Sequence, residues 1–125
     1  MLRTSRFKIV VVLHANHPNE LSPGVFKACK ALRDAQCTLL NQSVLLSGVN
    51  DTLACLVKLS ERLWTCDVLP YYLHVLDKVA GAAHFDVSIA SAKSLLNQLR
   101  AQLPGYLVPR LVSEQPGLKN KQPVP

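Results

Sequence analysis

Short apolar runs rich in β-branched residues alternate along this chain with segments of helical periodicity, and no other feature constrains the fold as much. Residues 7–13 (FKIVVVL) form a continuous β-branched run that suits a strand buried on both faces. Residues 37–46 (CTLLNQSVLL), 68–76 (VLPYYLHVL) and 106–112 (YLVPRLV) read as further strands. Pro70 inside the third marks an edge, an entry point or a bulge. Ser22 and Pro23 make a good helix start, followed by Val25, Cys29 and Leu32 at helical spacing to about residue 35. Asp51 can cap a second helix carrying Leu53, Leu56, Val57, Leu59, Leu63 and Trp64. Ser88 opens a third, with Ile89, Ala92, Leu95, Leu96 and Leu99 on one stripe and Gly105 at its end. From Ser113 onward the chain turns polar and reads as a loop or tail. The sum, β-α-β-α-β-α-β, predicts an α/β fold with a parallel sheet and right-handed crossovers. No GxGxxG or P-loop follows any strand, and half of an (α/β) barrel fits at least as well as a nucleotide-binding sheet.

Chemistry in such barrels gathers where strands end. That rule singles out His14, Ala15, Asn16 and His17; Asn41, Gln42 and Ser43; residues 74–77; and the segment after Val112. All are rich in polar groups.

Composition removes several function classes. The chain has 125 residues and is 49% hydrophobic, enough for a modest core and too apolar for a disordered tail. No apolar run could span a bilayer, and residues 9–13 are too short for a secretion signal, so a cytoplasmic protein is expected, with no membrane partner. The net charge of +6 raises nucleic-acid binding. The basic residues are scattered, however, and no aromatics interleave with them as a stacking platform requires, so a solvated basic surface or a phosphate-bearing small ligand is favoured. Cys29, Cys37, Cys55 and Cys66 form no CxxC pair and have no histidine at zinc spacing, so no metal site is expected in this chain. Cys29 and Cys55 read as small core residues, and no disulfide framework is expected. No CxxxCxxC occurs in these 125 residues.

The strand ends carry a recognisable series of motifs. Residues 14–20 (HANHPNE) resemble the HxNHPNE of lysine 2,3-aminomutases, which are radical S-adenosylmethionine (SAM) enzymes. Residues 41–51 (NQSVLLSGVND) are similar to that family's NQSVLLxGVND. Residues 69–77 (LPYYLHVLD) and 81–85 (GAAHF) resemble the branch that serves β-lysylation of elongation factor P. Residues 105–110 (GYLVPR), then Pro116-Gly117 and Lys121-Gln122-Pro123, are similar to the family's closing GYxVP…PG…KTP. The likeness covers essentially the whole chain, in order.

The resemblance implies residues 1–112 as the C-terminal half of a partial radical SAM barrel. It implies residues 113–125 as a segment bearing the lysine for pyridoxal phosphate (PLP), and an N-terminal cluster-binding half that is not in this chain. The implied activity is an isomerase reaction, a 1,2-amino shift turning lysine into β-lysine for elongation factor P and its lysyl transferase. The implied cofactors are PLP, SAM and a 4Fe-4S cluster. Lys121 would form the Schiff base with PLP; by side-chain chemistry alone it reads as a solvated tail lysine. Asp77 and Glu114 would hold the ε-ammonium of the substrate lysine, since paired carboxylates suit a cation; the plain alternative is solvent-facing loop carboxylates, or Asp77 paired with Lys78 or Arg110. His14, Asn16 and Gln42 would face SAM, although His14 alone reads as a core histidine. Tyr71, Tyr72, His74, His84 and Phe85 would line the PLP or substrate pocket, or serve as ordinary core residues. Without the cluster cysteines the chain is expected to be inactive alone, and open strand edges predict poor solubility. Two other readings stand beside this one: a truncated or degenerate PLP-binding module, and a basic ribosome- or nucleic-acid-associated protein.

Overall fold

The computed structural model describes residues 8–76, 87–114 and 122–123, with Leu76, Glu114, Gln122 and Pro123 described by their backbone. Its elements run β1 (Val10–Leu13), α1 (Pro23–Asp34), β2 (Thr38–Leu45), α2 (Leu53–Thr65), β3 (Leu69–Leu76), α3 (Ile89–Gln102), β4 (Arg110–Glu114) and β5 (Gln122–Pro123). The sheet order is β1-β2-β3-β4-β5. The first four strands are parallel, each joined to the next by a helix, and β5 runs antiparallel to β4. An unbroken order with crossovers of one hand lays every helix on the same face of the sheet. Burial along β2 records this: Leu39, Asn41, Ser43 and Leu45 are buried, while Leu40, Gln42 and Val44 are only half-buried. The core therefore lies between the sheet and the helices; no described helix covers the opposite face, which is exposed at Val10 and Val12 of β1 and buried at His74 of β3 and Val112 of β4.

Two apolar clusters fill that layer. One joins Cys29 of α1, Leu39 of β2 and Leu59 and Leu63 of α2. The other joins Leu45, Leu73 and Leu111 from the strands to Leu56 of α2 and Ala92, Leu96 and Leu99 of α3. Burying a leucine of this kind contributes roughly 1.5–3 kcal/mol. The helical stripes place Leu56, Leu59 and Leu63 inward, as the spacing predicts.

Ser22 caps α1 with Pro23 in its first turn, and Ser88 caps α3, both as expected. Elsewhere the expectations need correction. The cap of α2 is Thr52, whose hydroxyl accepts from the amide of Cys55 at 3.2 Å. Asp51 is occupied one residue earlier, accepting from the amide of Gly48, which turns the chain at φ +76°. Trp64 leaves the stripe: it is half exposed and leans on Tyr106, ring centroids 5.1 Å apart. Cys29 is core, whereas Cys55 is only half-buried. The first strand is not buried on both faces, because nothing covers the outer side of Val10 and Val12 among the described residues. The fourth strand starts at Arg110, since Gly105–Leu107 folds as a 3-10 turn after Pro104. Within the segment read as loop or tail, β4 continues to Glu114 and Gln122 pairs with Ser113.

Of the three roles open to Pro70, an edge, an entry point or a bulge, the structure shows the bulge. Asn41 pairs with Pro70 but Gln42 pairs with Tyr72, so Tyr71 is an extra residue in β3. Proline has no N–H for the ladder, and slipping one residue restores the pairing beyond it.

Candidate functional site

The motif at residues 14–20 and the one at residues 41–51 bind each other. Asn41 accepts from the amide of Ala15 at 2.9 Å and donates to its carbonyl at 3.1 Å. The Ser43 hydroxyl donates to that same carbonyl at 2.8 Å. Asn41 and Ser43 lie within β2, not at its end, and face the helix layer. Asn16 Oδ1 accepts from the amide of Val44, and Glu20 accepts from the amide of Asn16. Asn50, 1% exposed, accepts from the Leu46 amide and donates to the carbonyls of Asn16 and Val44. His17 Nδ1 accepts from Asn19, and Arg62 of α2 donates to the Pro18 carbonyl. These side chains satisfy backbone groups that turning chain would otherwise bury unpaired. They tie the end of β1 to the end of β2 and leave few polar groups for a ligand.

What remains polar faces the open side of the sheet. Alternation and register put Val12 beside Leu40, then Gln42 beside Tyr72, Val44 beside His74, and Arg110 and Val112 beside Tyr72 and His74. His74 is 6% exposed, and its Nε2 lies 3.2 Å from Gln42 Oε1. Tyr72 meets the His74 ring edge-on at 5.9 Å. The bulge lets Tyr71 and Tyr72 stand together, ring centroids 4.1 Å apart. The hydrogen bond to Tyr72 and the closeness of that second phenol push the Tyr71 hydroxyl above its ordinary pKa, and the Arg110 charge partly opposes the rise. The open face thus combines amide and imidazole hydrogen-bonding groups with aromatic rings and a cation. Such a surface can orient a flat, polar ligand.

Of the residues singled out for SAM, Gln42 lies on this face. His14 follows the last β1–β2 pair, Leu13 with Asn41, and is exposed. Asn16 instead gives its carbonyl oxygen to the β2 backbone. Lys121 and Asp77 lie outside the described residues, as do His84 and Phe85; Glu114 is described by its backbone as the last residue of β4. Their neighbours in sequence are informative. Leu76, which precedes Asp77, pairs with Glu114, and Gln122, which follows Lys121, pairs with Ser113. The flanks of all three candidates therefore meet where β3, β4 and β5 come together.

Strand parity puts Gln42 and His74 on the same face, and the bulge sets the register that brings their side chains together. Asn50, central to the scaffold, lies within the motif at residues 41–51 but reads from sequence only as a loop residue. Among the described residues no group of three histidine, cysteine, aspartate or glutamate side chains could hold a metal. Cys29, Cys37 and Cys66 sit in the core on the helix side, and burial raises the thiols of Cys29 and Cys66. A separate polar cleft of about 410 Å³ lies between the loop after β2 and α3, lined by Ser47, Asp51, Ser88, Ser91, Ser94 and Gln98. None of the candidate residues lines it.

No family model matches the chain. Individual proteins do. Over 121 residues the chain is 46% identical to an L-lysine 2,3-aminomutase of Haemophilus influenzae, covering 97% of this chain and 36% of that protein. It is 48% identical over 120 residues to an L-lysine 2,3-aminomutase of Escherichia coli K12, covering 96% and 35%. The chain thus spans about a third of the length of the curated relatives it matches. A radical SAM methyltransferase from Sphaerobacter thermophilus superposes with a TM-score of 0.55 at 19% identity, over 90% of this chain and 35% of that one. The likeness is one of fold: the parallel sheet and its helices match part of that protein's fold.

Proposed function

We infer that this chain, a relative of the L-lysine 2,3-aminomutases over about a third of their length, supplies the substrate- and PLP-holding part of an enzyme that converts lysine to β-lysine. The observation that carries the reading is the meeting of β3, β4 and β5, which gathers the flanks of Asp77, Glu114 and Lys121 at one end of the sheet.

The residues fit two of the three implied groups. Lys121, which precedes Gln122 of β5 in sequence, would hold PLP through its amino group. Gln42, half-buried on the open face, would contact SAM. The cluster does not fit this chain: three of its four thiols are buried in the core behind the sheet, and no CxxxCxxC is present. Its ligands would come from residues outside these 125. When bound, PLP supplies a conjugated ring that carries the migrating nitrogen, and SAM supplies the hydrogen-abstracting group.

The chain's own residues would bind and orient. Asp77 and Glu114 together present two negative charges to the ε-ammonium of lysine, and a charge-assisted bond is roughly twice as strong as a neutral one. An analogue lacking the ammonium would leave both carboxylates unpaired, which is how the site would reject it. The sheet and its apolar layer fix the backbone of Leu76 and Ser113, the described neighbours of these candidates in sequence. We assign the product to elongation factor P modification on the likeness of residues 69–77 and 81–85 to that branch. A specific observation also supports a PLP-binding module that is inactive alone: the missing cluster ligands.

Both are tested by one experiment. The isolated chain, given lysine, SAM and PLP, is expected to yield no β-lysine. Co-expression with a segment carrying CxxxCxxC is expected to yield it. Product from the isolated chain contradicts the division of labour, and no product from the pair favours the inactive module.

A further inference from the structure

We infer that His74 is a positioning residue: its Nε2–H fixes the amide of Gln42 so that the Gln42 NH2 group is turned to the open face as a donor. The inference rests on the reading of Gln42 as a SAM-side residue, and it specifies which kind of ligand atom that side takes.

The argument begins with the two atoms 3.2 Å apart. Gln42 presents Oε1 to the ring, and an amide oxygen can only accept. His74 Nε2 must therefore carry the hydrogen. The ring cannot swing freely, because His74 is 6% exposed and Tyr72 holds it edge-on at 5.9 Å. With Oε1 occupied, the Gln42 NH2 points away from His74. No other described residue accepts from it, and Gln42 is half-buried on the face that the helices leave open. A half-buried donor held in one orientation selects an acceptor: a ring nitrogen, a hydroxyl oxygen or a carboxylate oxygen. It does not select a cation. Gln42 therefore faces an acceptor atom of its ligand, and the sulfonium of SAM lies elsewhere.

His74 acts through Gln42, so a test must read the orientation as well as the binding. The first measurement uses the 125-residue chain labelled with 15N. Long-range proton–nitrogen NMR spectra of neutral His74 are expected to show Nε2 protonated and Nδ1 bare. Protonation at Nδ1 with a bare Nε2 overturns the inference, because Gln42 would then offer its NH2 to the ring. The second measurement is titration with SAM alone. His74→Gln keeps a nitrogen donor near the same place and is expected to bind within about threefold of wild type. His74→Leu removes the donor and is expected to weaken binding about five- to tenfold, the value of one lost orienting hydrogen bond. Equal loss in both variants, or no loss in His74→Leu, overturns the inference. If the wild-type chain does not bind SAM, the reading of Gln42 as a SAM-side residue fails, while the NMR result decides the orientation separately. Circular dichroism of both variants separates misfolding from lost orientation, and the wild-type NMR experiment needs neither variant.

Discussion

Replacing Asn50 with alanine tests whether the two strand-end motifs serve as scaffold. Asn50 is 1% exposed and makes three hydrogen bonds: from the Leu46 amide at 2.8 Å, to the Asn16 carbonyl at 2.8 Å and to the Val44 carbonyl at 2.9 Å. The alanine variant strands three backbone groups. Each stranded buried group costs about 1–3 kcal/mol, and the lower end applies where water can reach the vacated space. The expected loss is thus about 3 kcal/mol, a large share of the ~5–15 kcal/mol that stabilises an ordinary domain. Asn50→Asp separates packing from hydrogen bonding, since it keeps the shape and the acceptor for Leu46. It also sets a second carboxylate oxygen against two carbonyl oxygens, so it should be no more stable than the alanine variant. Urea unfolding followed by circular dichroism measures both, with the dependence on urea unchanged if the unfolded state is unaffected. A loss below about 1 kcal/mol in Asn50→Ala, or near-native stability in Asn50→Asp, would refute the scaffold reasoning.

Two further outcomes are expected. Thr52→Ala should destabilise the chain by about 1 kcal/mol, and Asp51→Ala by less, because Thr52 caps α2 while Asp51 serves only the Gly48 turn; the reverse order in thermal melts would restore Asp51 as the cap. Burial raises the thiol pKa of Cys29 and Cys66 above the ordinary value of 9.0. The folded state therefore keeps these protons longer than the unfolded one, so stability present below pH 9.0 should fall as the pH climbs beyond it. Disulfide exchange at pH 8 should then label half-buried Cys55 ahead of the three core thiols; equal rates for all four in the native chain would contradict the burial described.

Much of the fold was legible because hydrophobic period and cap chemistry agree along most of the chain. Ser22-Pro23 and Ser88 start their helices as read, and Pro70 marks the bulge. The errors arise where two residues compete for one role or where a neighbouring layer decides. Asp51 and Thr52 are both good caps, and only the Gly48 turn settles which is free. Residues 7–13 are apolar enough for a doubly buried strand, but burial of Val10 and Val12 depends on what lies across the open face. Residues 106–109 look extended by composition, yet Pro104 and Gly105 start a turn that delays β4 to Arg110.

The site was legible in a different way. His14 and Asn16 lie in one motif and Gln42 in the next, at neighbouring strands, but hydrogen bonding divides their roles: Asn16 Oδ1 is spent on the backbone, and Gln42 faces outward with His74. Register is a long-range property, so sequence could not show that Leu76 meets Glu114 and Ser113 meets Gln122. Those pairings bring the flank of Asp77 to those of Glu114 and Lys121, more than thirty residues further along the chain.

The central claim is that Lys121 holds PLP. Incubating the 125-residue chain with PLP, reducing with borohydride and mapping the modified peptide tests it most directly. The account predicts a single reduced pyridoxyl label on Lys121, abolished in Lys121→Ala. A label on Lys119, or no label in a folded chain, would contradict it.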